Sequence, residues 1–142
     1  MPNWFLCKIK VDRHQEDGTL KKVTEPYLVN AMSFTEAEAR INEYLIEDGS
    51  DEILVANINK ANFSDIFPDE TGEIWYKGKV SFVSVDEQAG KEKKINQFML
   101  VQAEDFPKAV ENLLEQFKGF TVPYDIHSIT ETTILDVIDY SS

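Results

Sequence analysis

At 142 residues and a net charge of −12, the chain has the length of one domain, or of two small halves sharing a core, and its overall charge argues against simple nonspecific attraction to nucleic acid. An apolar fraction of 42% is enough for a packed core, no apolar run is long enough for a membrane span, and a single cysteine excludes a disulfide within the chain. The opening Met1-Pro2-Asn3-Trp4 has neither the basic nor the apolar segment of a secretory signal, so a cytoplasmic location is expected.

From Trp4 onward, Phe5, Cys7, Ile9 and Val11 alternate with Trp4, Leu6, Lys8 and Lys10, the period of a half-buried strand. Cys7 in this pattern reads as a small buried hydrophobe. The Asp17-Gly18 pair predicts a hairpin tip, and alternation resumes over 22–31 with Val23, Tyr27, Val29 and Ala31 on one parity. Pro26 removes one ladder donor, which places an edge or a bulge there. Ser33, with Glu36 three residues on, reads as a capping box. Ala37, Ile41, Tyr44 and Leu45 then mark one face of a helix over 34–46, with Asp48-Gly49-Ser50 as its stop. A strand is expected over 52–59. Residues 62–67 are ambiguous between a strand and a short helical turn, and 68–72 read as a polar junction.

The same order then returns. Trp75-Tyr76-Lys77 repeats Trp4-Phe5-Leu6 at a spacing of 71 residues. Gly90, Lys93-Lys94-Ile95, Leu100-Val101 and Ala103 repeat Gly18, Lys21-Lys22-Val23, Leu28-Val29 and Ala31 at 72. Asp105 takes the cap position of Ser33, and Pro107 is tolerated in the first turn. Ala109, Val110, Leu113, Leu114 and Phe117 form the apolar stripe, Gly119 the stop, 124–130 the matching strand and 133–140 the matching tail. Asp65 and Asp136 also match.

These correspondences predict an internal duplication of a β-β-α-β unit, with repeats over about 3–67 and 74–140 in a single domain. The expected fold class is α+β: a mostly antiparallel sheet with two helices on one face and pseudo-two-fold symmetry. The helix-facing parity would be Phe5, Ile9, Val11, Tyr27, Val29 and their counterparts.

Three stretches carry a resemblance. They are Trp4-Phe5 with 21–29, Ser33-Phe34-Thr35-Glu36-Ala37-Glu38-Ala39-Arg40, and Trp75-Tyr76-Lys77 with 90–94 and Met99-Leu100-Val101-Gln102-Ala103. Together they resemble an uncharacterised domain family encoded in Bacteroidota and their phages or mobile elements. The resemblance covers nearly the whole chain. It implies a small stand-alone protein of phage or mobile-element origin, in the host cytoplasm if phage-encoded, and brings no catalytic residues with it.

No phosphate loop, dinucleotide fingerprint or Cys/His metal cluster occurs in the sequence, so neither catalysis nor a cofactor or metal is expected. His14 and His127 are a whole repeat apart, and their spacing suggests no partner. Asp65 and Asp136 read as local caps or turns; as a carboxylate pair they could bind Mg²⁺ or act in acid–base chemistry.

The two hairpins carry ten of the fourteen basic residues. On the parity away from the helices, Trp4, Lys8, Lys10, Lys22 and Leu28 share a face, as do Trp75, Lys77, Lys79, Lys94 and Phe98 with Leu100. Lysines on such strands also discourage edge pairing, and the tryptophans also suit a second small core or a dimer interface. Three functions follow as expectations. The first is a non-catalytic binding or oligomerising protein, in the form of a homodimer or bound to a host protein through the hairpin faces. The second is single-stranded nucleic-acid binding by stacking and lysine contacts. The third is an acidic host-interference protein. No membrane partner is expected.

Overall fold

The computed structural model of the chain describes residues 3–49 and 52–140; of the expected helix stop, Ser50 lies outside the described residues. The chain forms two compact units, Met1–Ala61 with Thr133–Ser142, and Asn62–Thr132.

In unit 1, β1 (Trp4–His14) and β2 (Leu20–Asn30) form a long antiparallel hairpin, in register from Trp4 opposite Asn30 to His14 opposite Leu20. Its tip is closed by Gln15 N donating to Thr19 O at 2.8 Å and by Asp17, whose carboxylate accepts from Thr19 N and Oγ1. Helix α1 (Phe34–Glu47) starts at Ser33, whose Oγ accepts from Glu36 N at 3.1 Å. The Glu36 carboxylate takes the Tyr140 hydroxyl at 2.7 Å. Strand β3 (Leu54–Ala61) pairs antiparallel with β1. The fourth strand, β8 (Asp136–Ile138), pairs parallel with β2, giving the order β3-β1-β2-β8. β8 begins opposite Tyr27, and just before it Leu135 N donates to the Pro26 carbonyl at 2.9 Å, a bond that needs no N–H from the proline.

Unit 2 has β5 (Ile74–Asp86) and β6 (Lys91–Ala103) as its hairpin, α2 (Phe106–Gln116), β7 (Tyr124–Glu131) beside β5, and β4 (Phe63–Phe67) parallel to β6. Its order, β4-β6-β5-β7, is that of unit 1 read from the other edge. Asp105 caps α2 by accepting from Lys108 N at 2.9 Å. In both units the ladder slips by one residue at the same place, between Lys8 and Ile9 against β3 and between Lys79 and Val80 against β7.

The α+β class holds, and antiparallel ladders dominate. Two expectations change. Instead of one sheet carrying both helices, each four-stranded sheet carries its own helix on one face. The tails also do not stay with the stretches that precede them: β4 follows β3 in sequence but pairs in unit 2, and β8 follows β7 but pairs in unit 1. A short parallel edge strand needs only a crossover connection, and nothing in its own residues specifies which sheet receives it.

The helix-facing parity is as expected. Phe5, Cys7, Ile9, Val11, Tyr27 and Val29 pack with Ala37, Ile41 and Leu45. Val80, Met99, Val101, Leu113 and Phe117 form the core of unit 2, with Tyr76, Ala103 and Ala109 beside it. Each fully buried large aliphatic contributes roughly 1.5–3 kcal/mol. Cys7 is fully buried, and burial pushes its thiol up to about 11. No helix among the described residues is long and apolar enough to cross a membrane.

A polar node ties each parallel strand in place. In unit 1, Arg40 donates to the carbonyls of Asn30 and Asp139 and stacks 4.4 Å over the Tyr140 ring, while Asn30 Nδ2 donates to Asp139 at 2.8 Å. In unit 2, Asn112 Nδ2 donates to Asp69 at 2.8 Å and to Gln102 O at 3.1 Å. Gln102 itself receives Asp69 N and donates to Gly72 O. Gly72 passes so close to β6 that a Cβ on it would lie 2.2 Å from the Ala103 carbonyl carbon. Gly72→Ala is expected to destabilise the protein by about 2 kcal/mol or more, because backbone must move to admit one methyl; urea melts followed by circular dichroism check it. Arg40→Ala is expected to cost about 1–3 kcal/mol in the same assay, since two backbone carbonyls lose a charged donor.

Candidate functional site

The ten residues expected on the hairpin faces do lie on the parity away from the helices, but they do not make one exposed surface. Trp4 and Trp75 are 4% and 3% exposed, and Leu28 and Leu100 are fully buried. Lys8, Lys10, Lys22, Lys77 and Lys94 are exposed, whereas Lys79 and Phe98 are half-buried. The rings expected to offer stacking faces are therefore out of contact with solvent. In unit 2, Lys77 Nζ lies 4.4 Å from the centre of the Phe98 ring and 6.0 Å from that of Phe63, so the lysine already covers the half-buried aromatics.

One polar pair escaped the sequence. Ser81 Oγ and His127 Nε2 are 2.7 Å apart. His127 is the extra residue of the β7 slip, which turns it toward Ser81 on β5. A serine–histidine contact is the beginning of nucleophilic chemistry; here Ser81 is 3% exposed. The contact ties an edge strand to its neighbour. Among the described residues, no group of three or more His, Cys, Asp and Glu could hold a metal. Asp65 belongs to unit 2 and Asp136 to unit 1.

A cleft of about 530 Å³ lies in unit 2 beneath the C-terminal end of α2. Phe67, Phe82, Met99, Phe117, Phe120 and Val122 supply its apolar walls, and Asp65, Ser84, Gln97 and Gln116 its polar groups. The rings touch one another: Phe117 lies 5.3 Å from Phe120, 5.8 Å from Phe82 and 4.6 Å from Tyr124. Phe120 and Val122 remain 53% and 45% exposed at its mouth. Asp65 is the one acidic side chain among the lining residues, and its carboxylate accepts from the Ser64 hydroxyl at 3.2 Å. Sequence reading gave Asp65 a place but not a cleft. Phe120 and Val122 past the helix stop, with no counterpart aromatic in the first repeat, were the available signal.

The matching place in unit 1 holds a cluster of its own side chains. Arg13 pairs with Glu25 through two nitrogens, at 2.7 and 3.1 Å. The Tyr27 hydroxyl donates to Glu25 at 3.0 Å, the Tyr44 hydroxyl donates to Asp136, and the two tyrosine rings pack edge-on at 6.0 Å. A smaller cleft of unit 1, about 370 Å³, lies elsewhere, between the start of α1 and β3.

Residues 3–140 match the family described as Domain of unknown function (DUF4494). The chain belongs to that family. No curated protein and no solved structure matches it.

The unit 1 cluster has a pH signature. The hydrogen bond from Arg13 holds the Glu25 carboxyl below its ordinary 4.5. Burial, then the bond to Glu25, pushes Tyr27 up to about 12, and burial with the Asp136 bond raises Tyr44 as well. A raised tyrosine contributes stability that is whole below its ordinary value of 10 and is lost as pH rises through the folded value. The depressed Glu25 contributes above 4.5 and loses its contribution as pH falls through its folded value. Melting temperature is expected to fall between pH 10 and 12, and less steeply in Tyr27→Phe/Tyr44→Phe; calorimetry across that range checks it.

Proposed function

We propose that this DUF4494 protein is a non-catalytic binding protein whose binding element is the aromatic cleft of unit 2. The observation that carries the reading is a 530 Å³ cleft with exposed Phe120 and Val122 at its mouth, in a chain whose matching site in unit 1 is filled by its own side chains. Small-molecule sites are concave, mostly apolar and furnished with a few polar groups, as this cleft is. The hairpin faces recede as the binding element because their tryptophans are buried. Single-stranded nucleic-acid binding is correspondingly weakened, and the net charge of −12 works against it too. An acidic body fits a host-interference role through solvated helices, though such faces are ordinary in soluble proteins.

A second reading, oligomerisation, is favoured by Leu20 and Val85 near the hairpin tips, each about three-fifths exposed at 60% and 61%. A homodimer through these tips would separate from the monomer in sedimentation, and Leu20→Lys/Val85→Lys would abolish it. The two units descend, in our reading, from one duplicated β-β-α-β unit. Their identical strand order and matching ladder slips support this. A phage or mobile-element origin in Bacteroidota rests on the family resemblance alone, and action in the cytoplasm on the reading of the opening residues.

The cleft is tested with a neutral fluorescent apolar probe, N-phenyl-1-naphthylamine. The wild-type protein is expected to bind it with enhanced emission, and Phe120→Ala/Val122→Asp to weaken binding about five-fold or more. Both substituted residues are exposed, so folding should survive. Undiminished binding by the variant would remove the cleft as the site.

A further inference from the structure

The side-chain cluster of unit 1 shows which chemistry the open cleft of unit 2 lacks. Register alone defines the matching positions. Tyr27 lies opposite Asp136 in the β2–β8 ladder, and Met99 lies opposite Asp65 in the β6–β4 ladder. Glu25 faces Ile9 as Gln97 faces Val80, and Arg13 faces Lys21 as Ser84 faces Lys93. Counted from the caps Ser33 and Asp105, Tyr44 and Gln116 hold the same place on their helices.

The exchange between the two sites is therefore specific. Two phenol rings, a guanidinium and its carboxylate in unit 1 stand where unit 2 has a thioether, two amides and a serine hydroxyl. The edge-strand carboxylate stays: Asp136 in one, Asp65 in the other. In unit 1 that carboxylate accepts a hydrogen bond from a phenol whose ring fills the space under the helix end. In unit 2 the ring is gone, the space is open, and Asp65 lines it. Lys93 does not alter this, because Lys21 holds the same cross-strand position in unit 1 and leaves the cluster there intact.

The geometry points to a small hydroxyaromatic molecule as the ligand of the cleft, its rings lying among Phe67, Phe82, Met99 and Phe117 and its phenol hydroxyl donating to Asp65. This rests on the cleft being the binding element, as proposed above. A volume of about 530 Å³ takes more than a single ring and falls within the range of small-molecule sites. The carboxylate selects a donor over an anion, and a charge-assisted bond to it is stronger than a neutral one. A single aromatic without a donor would use the walls and leave Asp65 to water.

The test compares 4-benzylphenol with its methyl ether, titrated into the ¹⁵N-labelled full chain, with the amides of Asp65, Gln97 and Gln116 as reporters. The phenol is expected to bind about five- to ten-fold more tightly than the ether. Asp65→Ala should bring the two affinities together. Gln116→Tyr should weaken both ligands at least ten-fold, because the restored phenol fills the space and meets Asp65. Unperturbed spectra elsewhere show that each variant is folded. Equal affinity for phenol and ether in the wild-type protein overturns the inference while leaving the cleft as a binding site, and so does a preference that survives Asp65→Ala. If neither ligand shifts the reporter amides, the inference and the reading beneath it both fall.

Discussion

Each sheet depends on how its short parallel strand is fastened to the outer edge of the hairpin. Three or four paired residues are little to hold a strand, and both units add a polar node at the same place. One helix residue, Arg40 or Asn112, reaches a carbonyl near the end of the return strand and the segment beside the parallel strand. The nodes use different groups. The guanidinium of Arg40 serves two carbonyls and a ring at once. Asn112 has only its amide, and unit 2 recruits Gln102 and the close approach of Gly72 to complete the bonding. Because the node joins helix, hairpin and edge strand, it also fixes where the helix end lies over the sheet.

That placement decides what happens under the far end of each helix. The frame there is common to both units, with an acidic residue on the edge strand, the hairpin beside it and the last turn of the helix above. Side-chain volume separates the outcomes. Two tyrosines and an arginine occupy the gap in unit 1 and donate to the carboxylates of Glu25 and Asp136. Methionine, glutamine and serine leave it open in unit 2, and the phenylalanines gather around the opening. The functional reading follows from the difference between two halves, not from a motif in either.

Much of the fold was legible because local chemistry fixed it. Alternation placed four long strands, Asp17-Gly18 and Gly90 placed the hairpin tips, and Ser33 and Asp105 placed the helix starts within a residue. The core parity was legible for the same reason, since one face of each hairpin is apolar throughout. The exchange of edge strands was not, because a strand of three or five residues carries no address for its partner. The tryptophans misled for a related reason. Parity places a side chain on a face, but it does not say whether that face is covered. The cleft was least legible of all: it is made of what is missing at Met99, Gln116 and Ser84, and an absence leaves no pattern in a single sequence.

The strand exchange has a consequence for how the chain comes into being. The first sheet waits for its fourth strand, β8, which lies among the last residues of the chain, whereas the second sheet has its fourth strand in hand before its hairpin is made. On a ribosome emitting about 5–20 residues per second, the half translated first is the half finished last. Until Asp136–Ile138 emerges, the outer edge of β2 and the ring of Tyr44 have no strand to meet. Synthesis order and assembly order therefore run in opposite directions, and a truncated product would lack the edge of its first sheet, not merely its own end.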